Sequence, residues 1–116
     1  MKRILVVDDN VDGATSLQLY LEILGHAVRV ANTGLEAIEA VRKEMPEVIF
    51  LDIGLPGMNG YEVAQMVRAM PHGTEPRIFA VTGWGSEQDK KKSAEAGCDN
   101  HLTKPIDLGE AERLLG

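Results

Sequence analysis

The side chains in this chain best suited to handling phosphate and cations belong to Asp8-Asp9, Asp52, Thr82 and Lys104, and each follows a stretch that reads as a β-strand. Ile4-Leu5-Val6-Val7 runs into the acid pair, Val48-Ile49-Phe50-Leu51 into Asp52, Ile78-Phe79-Ala80-Val81 into Thr82, and the more polar Asn100-His101-Leu102-Thr103 into Lys104. Alone, an acid after an apolar run reads as a cap of a strand or turn. Brought within a few ångströms, three carboxylates repel at about 4 kcal/mol per pair, for roughly 4 Å and an effective dielectric near 20, unless a cation lies between them or they take up protons. A hard divalent ion is the simplest remedy. Mg²⁺ prefers oxygen ligands, keeps several waters and joins one or two carboxylates to a phosphate, which suits an acidic pocket without His or Cys ligands. Lys104 adds a positive charge and Thr82 a hydroxyl donor. These are the parts needed to stabilise charge on a phosphoryl group attacked by a carboxylate oxygen, with Asp52 as the acceptor.

To meet, these residues need strands that run side by side in one direction. The unbroken apolar runs at 4, 48 and 78 read as strands buried on both faces. Ala27-Val28-Arg29-Val30-Ala31 alternates and reads as an edge, as does the polar run at 100. Helix signals lie between: Asn10 before Ala14, Leu17, Leu21 and Leu24, with Gly25 as the stop; Thr33 and Glu36 as a capping box before Leu35, Ile38 and Val41; Asn59 before Val63, Met66, Val67 and Met70. Ser86 with Asp89 opens a fourth helix whose Lys90-Lys91-Lys92 body offers little apolar surface, so it should be loosely held. Asp107 caps a last one with Leu108, Ala111, Leu114 and Leu115 inward. Five β-α units with right-handed crossovers give an α/β fold with a doubly wound five-stranded parallel sheet. The order 2-1-3-4-5 puts the buried strands inside and the polar ones at the edges. Its switch point lies between the first and third strands, where Asp8, Asp9 and Asp52 converge.

Composition narrows the options. With 116 residues, 44% of them hydrophobic, the chain suits one domain over residues 1–116. Its 12 Lys and Arg against 18 Asp and Glu, a net charge of −6, argue against nucleic acid or anionic membrane as a direct partner. No apolar run approaches the roughly 18 residues of a membrane span, and Met1-Lys2-Arg3-Ile4 enters a strand rather than a signal-peptide core, so a cytoplasmic location is expected. Cys98 is the single cysteine, which leaves no internal disulfide and no Cys-based metal site.

On these motifs the chain resembles a response-regulator receiver domain of two-component signalling. The residues that carry the resemblance are Asp8-Asp9, Asp52, the Leu55-Pro56-Gly57-Met58-Asn59-Gly60 loop, Thr82 and Lys104-Pro105, and it extends over residues 3–115. It implies a flavodoxin-like receiver fold and a phosphorelay function, with Asp52 taking a phosphoryl group from the phosphohistidine of a sensor histidine kinase or a histidine phosphotransfer domain. It implies Mg²⁺ held by Asp9, Asp52 and the Gly54 backbone carbonyl, with Asp8 acting through water, and Lys104 paired with the acyl phosphate. Lys104-Pro105 is expected cis. Thr82 would move toward the phosphoryl oxygens and draw its loop and the fourth helix with it, switching a partner-binding surface. Where family members often carry Tyr or Phe three residues before the lysine, this chain has His101, which is either a smaller, ionisable switch residue or a half-exposed strand residue. A homodimer through the last two helices is a further possibility of the family. The domain would modify itself rather than turn over an external substrate.

Other classes fit less well. A dinucleotide site wants G-x-G-x-x-G after the first strand, where this chain has Asp8-Asp9-Asn10, and a flavodoxin-like electron carrier needs an uncharged first loop. An aspartyl phosphatase would want an acid where Gly54 stands, and a cap domain. A non-phosphorylated interaction domain of the same fold is the remaining alternative, against which the intact acids, Thr82 and Lys104 argue. Gly54 leaves the site open, while Trp84 either covers it or forms part of a partner-binding patch. The lysine run reads as a solvated helix face. The surroundings of Thr82 and Lys104 look most like receivers attached to hybrid sensor kinases.

Overall fold

The computed structural model describes residues 1–83 and 87–116, the Glu87 side chain aside. Strands β1 (Arg3–Val7), β2 (Ala27–Ala31), β3 (Val48–Asp52), β4 (Arg77–Thr82) and β5 (Asn100–Thr103) alternate with helices α1 (Val11–Ile23), α2 (Gly34–Lys43), α3 (Gly60–Ala69), α4 (Glu87–Glu95) and α5 (Leu108–Leu115). Every strand pair is parallel and the order is β2-β1-β3-β4-β5. β3 is buried along its whole length, whereas β2 and β5 are only partly covered, as their alternating and polar sequences require.

Successive strand residues face opposite sides and so divide the core in two. Leu5, Val7, Ile49, Leu51, Ile78 and Ala80 pack with α2 and α3, through Ala37, Ile38, Val41, Val63, Ala64 and Val67. Ile4, Val6, Val48, Phe50, Phe79 and Val81 pack with α1 and α5, through Ala14, Leu17, Leu21, Ala111 and Leu115. Phe50 and Phe79, paired across β3 and β4, meet edge to face with ring centroids 5.3 Å apart.

Local chemistry fixes the helix ends. Asn10, Thr33, Asn59 and Asp107 each accept the backbone N–H three residues on, in Gly13, Glu36, Glu62 and Glu110. α1 stops at Leu24, and Gly25 follows at φ +96°. Of the expected inward residues, Leu35 faces solvent at 68% exposure, because α2 turns Gly34, Ala37, Ile38 and Val41 to the sheet instead. Leu24, past the end of α1, and Met66 and Leu108 are also partly exposed. The expected cap Ser86 and the neighbouring Trp84 lie outside the described residues.

Long-range ties come from arginines. Arg29 donates to the Ala40 and Glu44 carbonyls, capping the end of α2 from the edge strand. Arg68 donates to the carbonyls of Gly73, Pro76 and Gly97 and pairs with Asp99 at 2.9 Å, joining α3 to the turns before β4 and β5. Arg77 donates to the Leu114 and Leu115 carbonyls at the end of α5.

Candidate functional site

β1 and β3 lie side by side at the centre of the sheet, so the acids that follow their apolar runs emerge together at one end. One carboxylate oxygen from each of Asp8, Asp9 and Asp52 lies within 4.8 Å of the others. Asp52 is 4% exposed, Asp8 partly buried and Asp9 exposed, so the cluster grades from core to solvent.

Each acid is held by its own loop. Asp52 Oδ1 accepts the Gly54 N–H at 2.9 Å, and its Oδ2 accepts Lys104 Nζ at 3.0 Å. Asp8 Oδ1 accepts the Asn10 N–H at 2.9 Å and lies 3.9 Å from Lys104 Nζ, while the Asp8 carbonyl accepts the Asn32 side chain. Burial pushes the Asp8 carboxyl above its usual range; the Asn10 N–H and Lys104 oppose the rise and the neighbouring Asp52 charge adds to it. Burial works against the Lys104 ammonium too, but the hydrogen bond it donates to Asp52 and the charges of Asp52, Asp8 and Asp9 outweigh it and raise its pKa.

Two backbone features set this geometry. Gly60, the first residue of α3, packs so closely on the end of β3 that a Cβ there would lie 2.5 Å from the Asp52 carbonyl oxygen and 2.7 Å from Ile53 Cα. The Lys104-Pro105 peptide is cis, and the Lys104 N–H donates to the Thr82 carbonyl at 2.7 Å.

Thr82 is 5% exposed, and its Oγ1 lies 2.9 Å from His101 Nε2. His101 Nδ1 lies 3.5 Å from Ser93 Oγ, at the limit of a hydrogen bond, so one imidazole stands between β4 and α4. A cavity of about 410 Å³ opens onto Asp9, Asp52, Gly54, Thr82 and Lys104. The sequence singled these residues out, and the fold brings them together. It also adds Tyr61, Asp89 and Lys92, which sequence reasoning did not assign to the site. The signal for the last two was available: Asp89, Lys92, Ser93 and Ala96 recur at helical spacing.

Three carboxylates, no sulfur or imidazole, and a partly buried acid with a raised pKa form a donor set that fits a hard, oxygen-seeking divalent cation. A larger cavity of about 960 Å³, lined in part by Met45, Met66 and Met70, lies between the ends of α2 and α3 and contains none of these groups. Among the described residues no helix is long and apolar enough to cross a membrane.

Known proteins resemble the chain in sequence and in fold. The chain is 34% identical over 107 residues to the protein PilH of Pseudomonas aeruginosa, covering 92% of this chain and 88% of PilH. Its structure matches the chemotaxis protein CheY4 of Vibrio cholerae with a TM-score of 0.94 at 27% identity, over 99% of this chain and 96% of CheY4. It matches the receiver domain of the Saccharomyces cerevisiae response regulator Ssk1, solved with the histidine phosphotransfer protein Ypd1, with a TM-score of 0.90 at 28% identity, over 96% of this chain and 83% of that one. Some relatives are much longer: the chain spans 46% of the response regulator MprA of Mycobacterium leprae and 12% of the sensor histidine kinase GacS of Pseudomonas protegens. The sequence model of the response regulator receiver domain matches residues 4–115. With the acid cluster at its sheet end and its parallel β2-β1-β3-β4-β5 order, the chain belongs to the response regulator receiver domain family.

Proposed function

We propose that Asp52 is the phosphoacceptor of a two-component phosphorelay, and that the observation carrying this is its double tether. A buried carboxylate with Gly54 N–H on one oxygen and Lys104 on the other borders a cavity that holds Asp9, Thr82 and Lys104 together. An Asp52 oxygen attacks the phosphorus of a phosphohistidine. The P–N bond breaks, its electron pair returns to the imidazole, and an acyl phosphate forms on Asp52. Lys104 holds the attacking group in place and offsets the charge that builds on the phosphoryl oxygens. Asp9, Asp52 and the Gly54 carbonyl would hold Mg²⁺, with Asp8 reaching it through water. When bound, the ion supplies positive charge against the phosphoryl oxygens.

The response runs through one hydroxyl. Thr82 Oγ1 lies in hydrogen-bond reach of His101 Nε2, and turning its proton to a phosphoryl oxygen would alter that contact with the imidazole that also approaches Ser93 of α4. Phosphorylation thus reaches the most weakly buried helix of the described chain. The phosphoryl donor on this reading is a sensor histidine kinase or a histidine phosphotransfer protein in the cytoplasm, supported by the GacS relative and by the Ssk1–Ypd1 complex. The chain then acts as a phosphoacceptor rather than a turnover enzyme.

Incubation with a phosphohistidine-loaded phosphotransfer domain, with and without Mg²⁺, tests the reading. Label should move to the parent protein only with Mg²⁺, be released by hydroxylamine as an acyl phosphate is, and be absent from Asp52→Asn. Label that persists on Asp52→Asn would place the acceptor elsewhere.

A further inference from the structure

The fourth helix departs from its neighbours in what it turns inward. Asp89, Lys92, Ser93 and Ala96 stand at i, i+3, i+4 and i+7, one face of a helix. Ser93 and Ala96 are buried, while Asp89 and Lys92 line the cavity above Asp9, Asp52, Thr82 and Lys104. Where the other helices present apolar residues, α4 presents a charged pair to the phosphoryl site. All three lysines of the run are exposed, but Lys90 and Lys91 line none of the cavity, so Lys92 alone of the three borders the chemistry.

We infer that Lys92 is a specificity-determining residue for the phosphodonor, drawing the donor's phosphoryl group into the cavity and favouring donors of higher negative charge. This rests on Asp52 being the phosphoacceptor. The cavity is lined by three carboxylates, Asp9, Asp52 and Asp89, and a donor anion that enters meets their repulsion. Lys104 is committed within the site, 3.0 Å from Asp52 and 3.9 Å from Asp8. Among the described residues no ion pair engages Lys92, so its ammonium is the cation available on the α4 side. Coulomb attraction scales with the charge of the guest, so the loss of one cation should weigh about twice as much, in the logarithm of the rate, on a dianion as on a monoanion. Lys92 forms no bond in the transfer. With acetyl phosphate, the P–O bond to acetate breaks as the bond to Asp52 forms, and acetate leaves with the electron pair.

The test compares Mg²⁺-dependent phosphorylation of the parent, Lys92→Gln, Lys92→Arg and Lys91→Gln by acetyl phosphate, a dianion at neutral pH, and by phosphoramidate, a monoanion. Lys92→Gln should slow the reaction with acetyl phosphate by about three- to tenfold and that with phosphoramidate by only about the square root of this, and the difference should shrink in high salt. Lys92→Arg should keep the parent's rates, and Lys91→Gln, with the same change in net charge, should leave both donors unaffected. Equal losses on both donors, or a Lys92→Gln protein indistinguishable from Lys91→Gln, would overturn the inference while leaving Asp52 as acceptor. A parent that takes up no phosphoryl group would instead overturn the reading beneath it.

Discussion

At the scale of single residues, Lys104 decides the electrostatics of the site. Its ammonium is the positive charge that reaches both Asp52 and Asp8. Replacing it by Met leaves a buried carboxylate without its partner, at an expected cost of about 1–3 kcal/mol in urea unfolding, the lower end reflecting a lysine side chain that is 36% exposed. The pair's contribution is complete below the lysine's ordinary value of 10.5 and is lost as pH rises through its raised folded value. Asp8 has the opposite effect on the metal-free fold. A carboxyl raised in the folded state is a burden that is absent below 3.8 and grows as pH rises through the folded value. Asp8→Asn should therefore be more stable than the parent at neutral pH without Mg²⁺ and lose that advantage in acid, as urea titrations at two pH values would show. Cys98 supplies a check outside the site. Burial pushes its thiol up to about 11, with Arg68 opposing and Asp99 adding to the rise, so the native protein should resist iodoacetamide at neutral pH and react once unfolded.

At the scale of elements, the loop between β3 and α3 determines whether Asp52 is held correctly. A Cβ at Gly60 meets the Asp52 carbonyl and the Ile53 backbone rather than a yielding side chain, so Gly60→Ala should cost about 2–4 kcal/mol by chemical denaturation and slow phosphorylation as well. Much of this architecture was legible in the sequence because its signals are local. Unbroken runs such as Val48–Leu51 mark a strand covered on both faces, and Asn10, Thr33, Asn59 and Asp107 cap helices through their own next turn. The acid positions followed from where those strands end. What was not legible depends on register across space. Leu35 suits a core but falls on the outer side of α2, since the helix turns the smaller Gly34 and Ala37 inward. Lys92 sits in a run that reads as solvated; its helical spacing with Ser93 and Ala96 is visible in the sequence, but that this face borders the cavity is seen only in the fold.

At the scale of the whole molecule, two halves of the sheet must stay in register for acids from β1 and β3 to meet the lysine after β5. Arg68 is central to the second half, because it bonds three carbonyls in the loops before β4 and β5 and pairs with Asp99, whose carboxylate also accepts the Ile78 N–H. Arg68→Ala should cost about 2–3 kcal/mol, read as a lower urea midpoint, since it leaves several inward carbonyls without a donor. The most direct test of the central claim, that Asp52 accepts the phosphoryl group, is the intact mass of the protein after incubation with acetyl phosphate, with and without Mg²⁺, beside Asp52→Asn. A single phosphoryl adduct that needs both Mg²⁺ and Asp52 is the predicted result. An unmodified parent, or an adduct of equal size on the variant, would contradict it.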